Sequence, residues 1–234
     1  MYGYGYGYYG FDWTYILLII GMLLSLAASA RLKSTFSYYR RIRSASGLTG
    51  AETAKRILQA AGITDVHVRA ISGSLTDHYD PRTKTVSLSE DIYGQTSLAA
   101  VGVAAHECGH AIQHAIGYAP LEFRSAIVPV ANFGSTLSWP LFLIGLFSGI
   151  RPLVTAGIVL FSLAVLFQLV TLPVEINASS RALKMLQSTG ILGTDETRGA
   201  RKVLTAAAMT YVASAATAII QLARLLMLRG RNRD

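Results

Sequence analysis

Long uncharged apolar runs alternate with short polar and basic stretches along this chain, and the lengths of those runs predict most of its elements. Trp13 to Ala30 carries no charge and is just long enough for a helix to cross a bilayer. Ile127 to Ile150 and Pro152 to Val174 are separated only by Arg151, so together they predict a transmembrane hairpin. Pro140 and Gly145 are interruptions that membrane helices tolerate. A last run, Val203 to Ala223, is rich in Ala, Ser and Thr and predicts a helix that packs closely through small side chains.

Residues 44–120 follow a different pattern. Thr49 and Glu52 have capping-box spacing ahead of Ala54, Ile57, Leu58 and Ala61, and Gly62 is placed to end that helix. Val66, Val68 and Ala70 alternate with His67, Arg69 and Ile71 in an imperfect strand pattern. After Gly73, Asp80-Pro81 starts a turn into a second strand, Thr83 to Leu88, and Ser97 can cap a helix running to about Ile116. The expected fold class is therefore a mainly α integral membrane protein with three to four transmembrane helices and a small α+β lobe. Its expected divisions are a tail and anchor (1–30), a lobe (31–120), a transmembrane hairpin (121–174), a connecting segment (175–202) and a small-residue-rich helix with a basic tail (203–234).

Composition agrees with a membrane chain: 52% of residues are hydrophobic and 15% charged, against about a quarter charged in soluble domains. The net charge of +8 comes from basic residues flanking apolar runs, which membrane topology explains without nucleic acid. Arg31, Lys33, Arg40, Arg41 and Arg43 follow the first run and no basic residue precedes it, so a cleaved signal peptide is disfavoured. The same asymmetry predicts a multi-pass protein of the cell membrane whose lobe is cytoplasmic. Four crossings would then leave Arg224, Arg229, Arg231 and Arg233 outside, so either the last helix packs without crossing or the charge rule fails there. The Tyr-Gly repeat of Met1 to Gly10 is either an interfacial segment or an unstructured tail. A single cysteine, Cys108, rules out an intramolecular disulfide.

His106, Glu107 and His110 form H-E-x-x-H on a predicted helix. Residues four apart stand above one another on a helix, so both imidazoles can reach one zinc ion. Glu107, next to His106, is placed to take a proton from water acidified by the metal. The alternative is a pair of surface histidines, which the apolar stretch Leu98 to Ala105 disfavours. Zinc needs a third protein ligand. His114 continues the series but stands roughly 12 Å from His106 along a helix, whereas two ligands of one zinc lie within about 4 Å. Glu175 is the better candidate. It follows a long apolar run, and two crossings return it to the membrane face of His110. An interfacial Glu175 paired with Arg181 or Lys184 is the competing reading. Cys108 points about 200° around the helix from His106 and is expected only to pack.

With these residues in view, the chain resembles the YugP-like neutral zinc metallopeptidases of bacteria, a membrane-bound, gluzincin-like family. The matching stretches are Phe11 to Ala30, Ser44 to Gly50, Leu75 to Arg82, Leu88-Ser89, Ala104 to His114 and Leu172 to Ala182. The resemblance implies zinc held by His106, His110 and Glu175, Glu107 as catalytic base, and a zincin-like lobe. HtpX-type membrane proteases, similar in layout, carry an Asp four residues after the third-ligand Glu; Ser179 stands there in this chain. Ser179 or Asn177 would have to support a zinc-bound His in its place.

His78 and Tyr79, within Thr76 to Asp80, are candidates for stabilising an oxyanion, and the Thr83 to Leu88 strand for pairing with an extended peptide. The competing reading of that segment is a polar turn held by Asp77 and Asp80. The expected function is a zinc-dependent endopeptidase acting on membrane or membrane-proximal polypeptides, with the lipid bilayer as its other partner. The alternative is an inactive membrane scaffold that retains a structural zinc. Spans almost free of ionisable residues argue against a metal transporter.

Overall fold

The computed structural model describes residues 14–231, so the Tyr-Gly repeat of Met1 to Gly10, together with Trp13 and Arg233, lies outside the described residues. The first helix, α1 (Tyr15–Tyr39), passes through Arg31 and Lys33 without a break. Nothing between Arg31 and Tyr39 is a Gly or Pro that would stop it. The second, α2 (Gly50–Ala60), opens on the expected capping box: the Glu52 N–H donates to the Thr49 hydroxyl, and the Thr49 N–H donates to the Glu52 carboxylate. Such a cap is worth about 1 kcal/mol. Gly62, at φ +72°, supplies the left-handed turn that follows.

Three strands come next, β1 (His67–Ile71), β2 (His78–Asp80) and β3 (Thr85–Ser89), in the spatial order β1-β3-β2. Strands β1 and β3 are parallel with His67 opposite Thr85; β2 is antiparallel to β3 with Tyr79 opposite Val86. This corrects the expectation that the Thr83 to Leu88 segment offers a free edge. It is the central strand, buried at every position and paired on both sides. The edges belong to β1 and β2; the edge beside the histidines is that of β2, a three-residue strand too short to show as a pattern in the sequence.

The short α3 (Glu90–Tyr93) leads to α4 (Leu98–Ala115), whose first turn is capped by the Ser97 hydroxyl accepting from the Ala100 N–H. Ile57, Val86, Leu88, Ile92 and Val101 close one core around α4, and Leu186 and Val203 extend it into the long helices. Those helices are α5 (Ala119–Ser148), α6 (Arg151–Ser188) and α7 (Thr194–Arg231). Helix α6 does not stop at Val174. It continues past Pro173, so Glu175 lies inside a helix.

Among the described residues four helices, α1, α5, α6 and α7, are long and apolar enough to cross a membrane. Large apolar side chains on them, among them Leu23, Phe133, Phe147, Val159 and Ile219, are exposed, as a lipid-facing surface requires. The chain is thus mainly α with a small α+β lobe. Helices α5 and α6 make a close hairpin; a Cβ on Gly145 would come within 2.5 Å of the Val154 nitrogen. Helix α7 runs antiparallel to α1 over its whole length, from Arg224 at Thr14 to Gly199 at Tyr39. Thr217 in the middle donates to the Gly21 carbonyl. If α1 crosses the bilayer, α7 beside it crosses too, which favours four crossings over a last helix that packs on the bundle without crossing.

Candidate metal centre

The centre begins with a contact between backbones. Gly109 presses against α6, and a Cβ there would sit 2.4 Å from the Ala178 carbonyl oxygen. Only glycine permits that approach. It brings the inward face of α4 within reach of Glu175, one turn before Ala178.

His106 Nε2 lies 3.2 Å from Glu175 Oε2 and His110 Nε2 lies 3.6 Å from the same oxygen. Zinc bonds of about 2.0–2.1 Å at tetrahedral angles put ligand atoms about 3.3 Å apart. The donor set and its spacing therefore fit zinc: two imidazole nitrogens and one carboxylate oxygen, all within 4.8 Å of one another. Glu175 is 3% exposed; a carboxylate that deeply buried needs a cationic partner. Its other oxygen faces Arg124 Nη2 at 3.9 Å. Arg181, offered by the interfacial reading as its partner, instead donates to Asn177 at 2.7 Å.

Each imidazole is oriented from behind. Ser179 Oγ stands 3.1 Å from His106 Nδ1, and Gln113 Oε1 stands 3.0 Å from His110 Nδ1. Gln113 is fully buried and tied to α6, its amide donating to the Val174 carbonyl and to Asn177. Asn177 thus acts one step removed from the imidazoles, whereas Ser179 touches one. Such partners fix ring orientation and tautomer.

Glu107 is buried beside the histidines. Burial raises its carboxyl above the usual range, opposed by the neighbouring imidazoles, the direction that suits a base working near neutral pH. Burial also works against charge on His110, yet its hydrogen bond to Glu175 and the Glu107 charge outweigh it and the net shift is upward.

Above these residues is a cavity of about 170 Å³ bounded by β2, α4, α5, α6 and α7. His78, Tyr79, Arg124 and Tyr211 line it together with the histidines and both glutamates. The Tyr79 hydroxyl is engaged 2.8 Å from His114 Nδ1, and burial first, then the Asp65 and Asp80 charges, push its phenol up to about 12. His78 is exposed, its Nδ1 2.9 Å from the Thr76 carbonyl. Asp80 holds a turn, accepting from the Arg82 N–H, whereas Asp77 reaches the end of β3 and accepts from the Ser89 N–H. Cys108 faces away from the centre, buried against the Ala54 carbonyl.

The family profile described as "Putative neutral zinc metallopeptidase" matches residues 14–230. The chain belongs to this family. It is also 48% identical over 221 residues to "Putative membrane protease YugP" of Bacillus subtilis (strain 168), covering 94% of this chain and 98% of that protein. No solved structure matches the chain. The sequence pattern did not point to Gln113 on α4, Arg124 on α5 or Tyr211 on α7. Gln113 carried a local signal, three residues after His110, and Tyr211 was the only ring in a run of small residues. Arg124 had none.

Proposed function

We propose that this chain is a membrane-bound zinc-dependent endopeptidase that cleaves polypeptides beside the membrane surface. The observation that carries the proposal is the convergence of His106, His110 and Glu175 with a buried Glu107 next to them. Zinc held by those three residues would polarise a peptide carbonyl and acidify water. Glu107 would take the proton from the water as its oxygen bonds to the carbonyl carbon, and would pass it to the amine as the C–N bond breaks, a role its raised carboxyl pKa favours. Tyr211, lining the same cavity, supplies a phenolic hydrogen bond to the carbonyl oxygen as it gains negative charge. His78 is the alternative donor; Tyr79 is held by His114 and serves to fix β2 against α4.

An extended substrate adds to the outer edge of β2, with its scissile bond carried over the histidines. The cluster has three protein donors among the described residues, which leaves the fourth position that catalysis needs and a purely structural zinc would fill. A cytoplasmic position for the lobe is supported by the basic residues at the lobe end of α1, Arg31, Lys33, Arg40, Arg41 and Arg43, through the tendency of such residues to stay inside. The test is purified zinc-loaded protein against its Glu107→Gln form, with a membrane-anchored polypeptide as substrate. The variant keeps zinc and loses cleavage; equal cleavage by both would remove the reading.

A further inference from the structure

A cavity larger than that at the metal centre lies elsewhere among the described residues. A groove of about 830 Å³ runs between α1 and α7 and shares no lining residue with the cavity at the histidines. Its two ends differ in chemistry. The end nearest the lobe presents Arg31, Arg201 and Lys202, with the hydroxyls of Ser34, Thr35 and Thr205 among them. The other end is apolar, formed by Leu24, Ala28, Met209, Val212 and Ala213. Among the described residues no acidic side chain lines it. Among the described residues, none of the three cations has an ion pair.

From Leu24 to Tyr38 the groove extends about 21 Å at the helical rise of about 1.5 Å per residue, compared with about 15 Å for the hydrocarbon of one leaflet. Leu24 and Met209 remain exposed, so the groove opens sideways on the lipid-facing side of these helices. We infer that it holds an anionic phospholipid, its phosphate among Arg31, Arg201 and Lys202 and an acyl chain along the apolar half. Charge complementarity selects this occupant. A neutral apolar helix from another protein would match the lower half and leave three unpaired cations above it. A soluble anion would match the cations and leave the apolar half empty. This inference depends on the helices spanning a membrane and not on peptidase activity.

The test uses the full-length zinc-loaded chain in neutral detergent, titrated with phosphatidylglycerol or phosphatidylcholine, with retained lipid counted by native mass spectrometry. Phosphatidylglycerol is expected to be retained at least about tenfold better, because each basic residue near an anionic headgroup contributes about a fivefold preference. Arg31→Gln and Arg201→Gln each weaken retention about fivefold. Ala213→Phe, which fills the apolar half, abolishes retention of either lipid. Arg41→Gln, exposed and outside the groove, changes nothing. Equal retention of the two lipids by the unaltered chain would overturn the inference, and that comparison needs no variant to fold. Loss in Arg41→Gln as large as in Arg31→Gln would overturn it too, as would full retention in a folded Ala213→Phe.

Discussion

Two pairs of long helices meet in opposite ways in this molecule. Helices α4 and α6 touch backbone to backbone at Gly109, with polar side chains locked together on either side. Helices α1 and α7 are pinned at Gly21 and Thr217 and meet again at Tyr39 and Gly199, leaving a groove between the two contacts. Geometry explains the contrast. A metal centre needs donor atoms held within a few tenths of an ångström, which only direct packing supplies. A site for a flexible amphiphile needs room and a gradient of polarity. One bundle carries both because small residues let helices approach without dictating how closely.

The comparison can be broken at its tightest point first. Glu107→Gln leaves the α4–α6 contact and zinc content intact while lowering turnover by about 10²–10⁴-fold; metal analysis beside a cleavage assay separates the two effects. Gly109→Ala should do the reverse. Its methyl group meets a carbonyl oxygen at 2.4 Å, so the helices must separate, at a cost of about 1–3 kcal/mol or more, and zinc affinity falls with stability. Thermal unfolding with and without zinc measures both. Ser179→Ala removes the support behind His106 and is expected to weaken zinc binding about 10–100-fold with little change in stability, read by competition with a chromophoric chelator. Gly102→Ala, on the same helix but facing Ala200 at an ordinary 3.5 Å, is the control and should be near neutral in all three assays.

What the sequence made legible was local or periodic. The Thr49–Glu52 box, the Ser97 cap, the apolar runs and the H-E-x-x-H spacing each declare themselves within a turn or two of chain. Glu175 could be nominated because a carboxylate after twenty-odd apolar residues is out of place. The remainder depends on which surfaces meet. β2 has three residues and owes its existence to pairing with β3, so its edge was assigned to the wrong strand. Helix α6 runs through Pro173 because neighbouring elements support it, and no rule about proline alone foretells that. Gln113 holds His110 only because Val174 and Asn177 arrive opposite it, and Arg124 and Tyr211 reach the cavity from helices far apart in sequence.

The central claim is that one divalent ion joins α4 to α6. X-ray absorption at the zinc edge of the loaded, full-length chain tests it most directly. The account predicts two imidazole nitrogens and two oxygens at about 2.0–2.2 Å, with one oxygen lost or replaced in Glu175→Ala and zinc bound far more weakly. A spectrum containing sulfur at about 2.3 Å, or one unchanged by removal of Glu175, would contradict it.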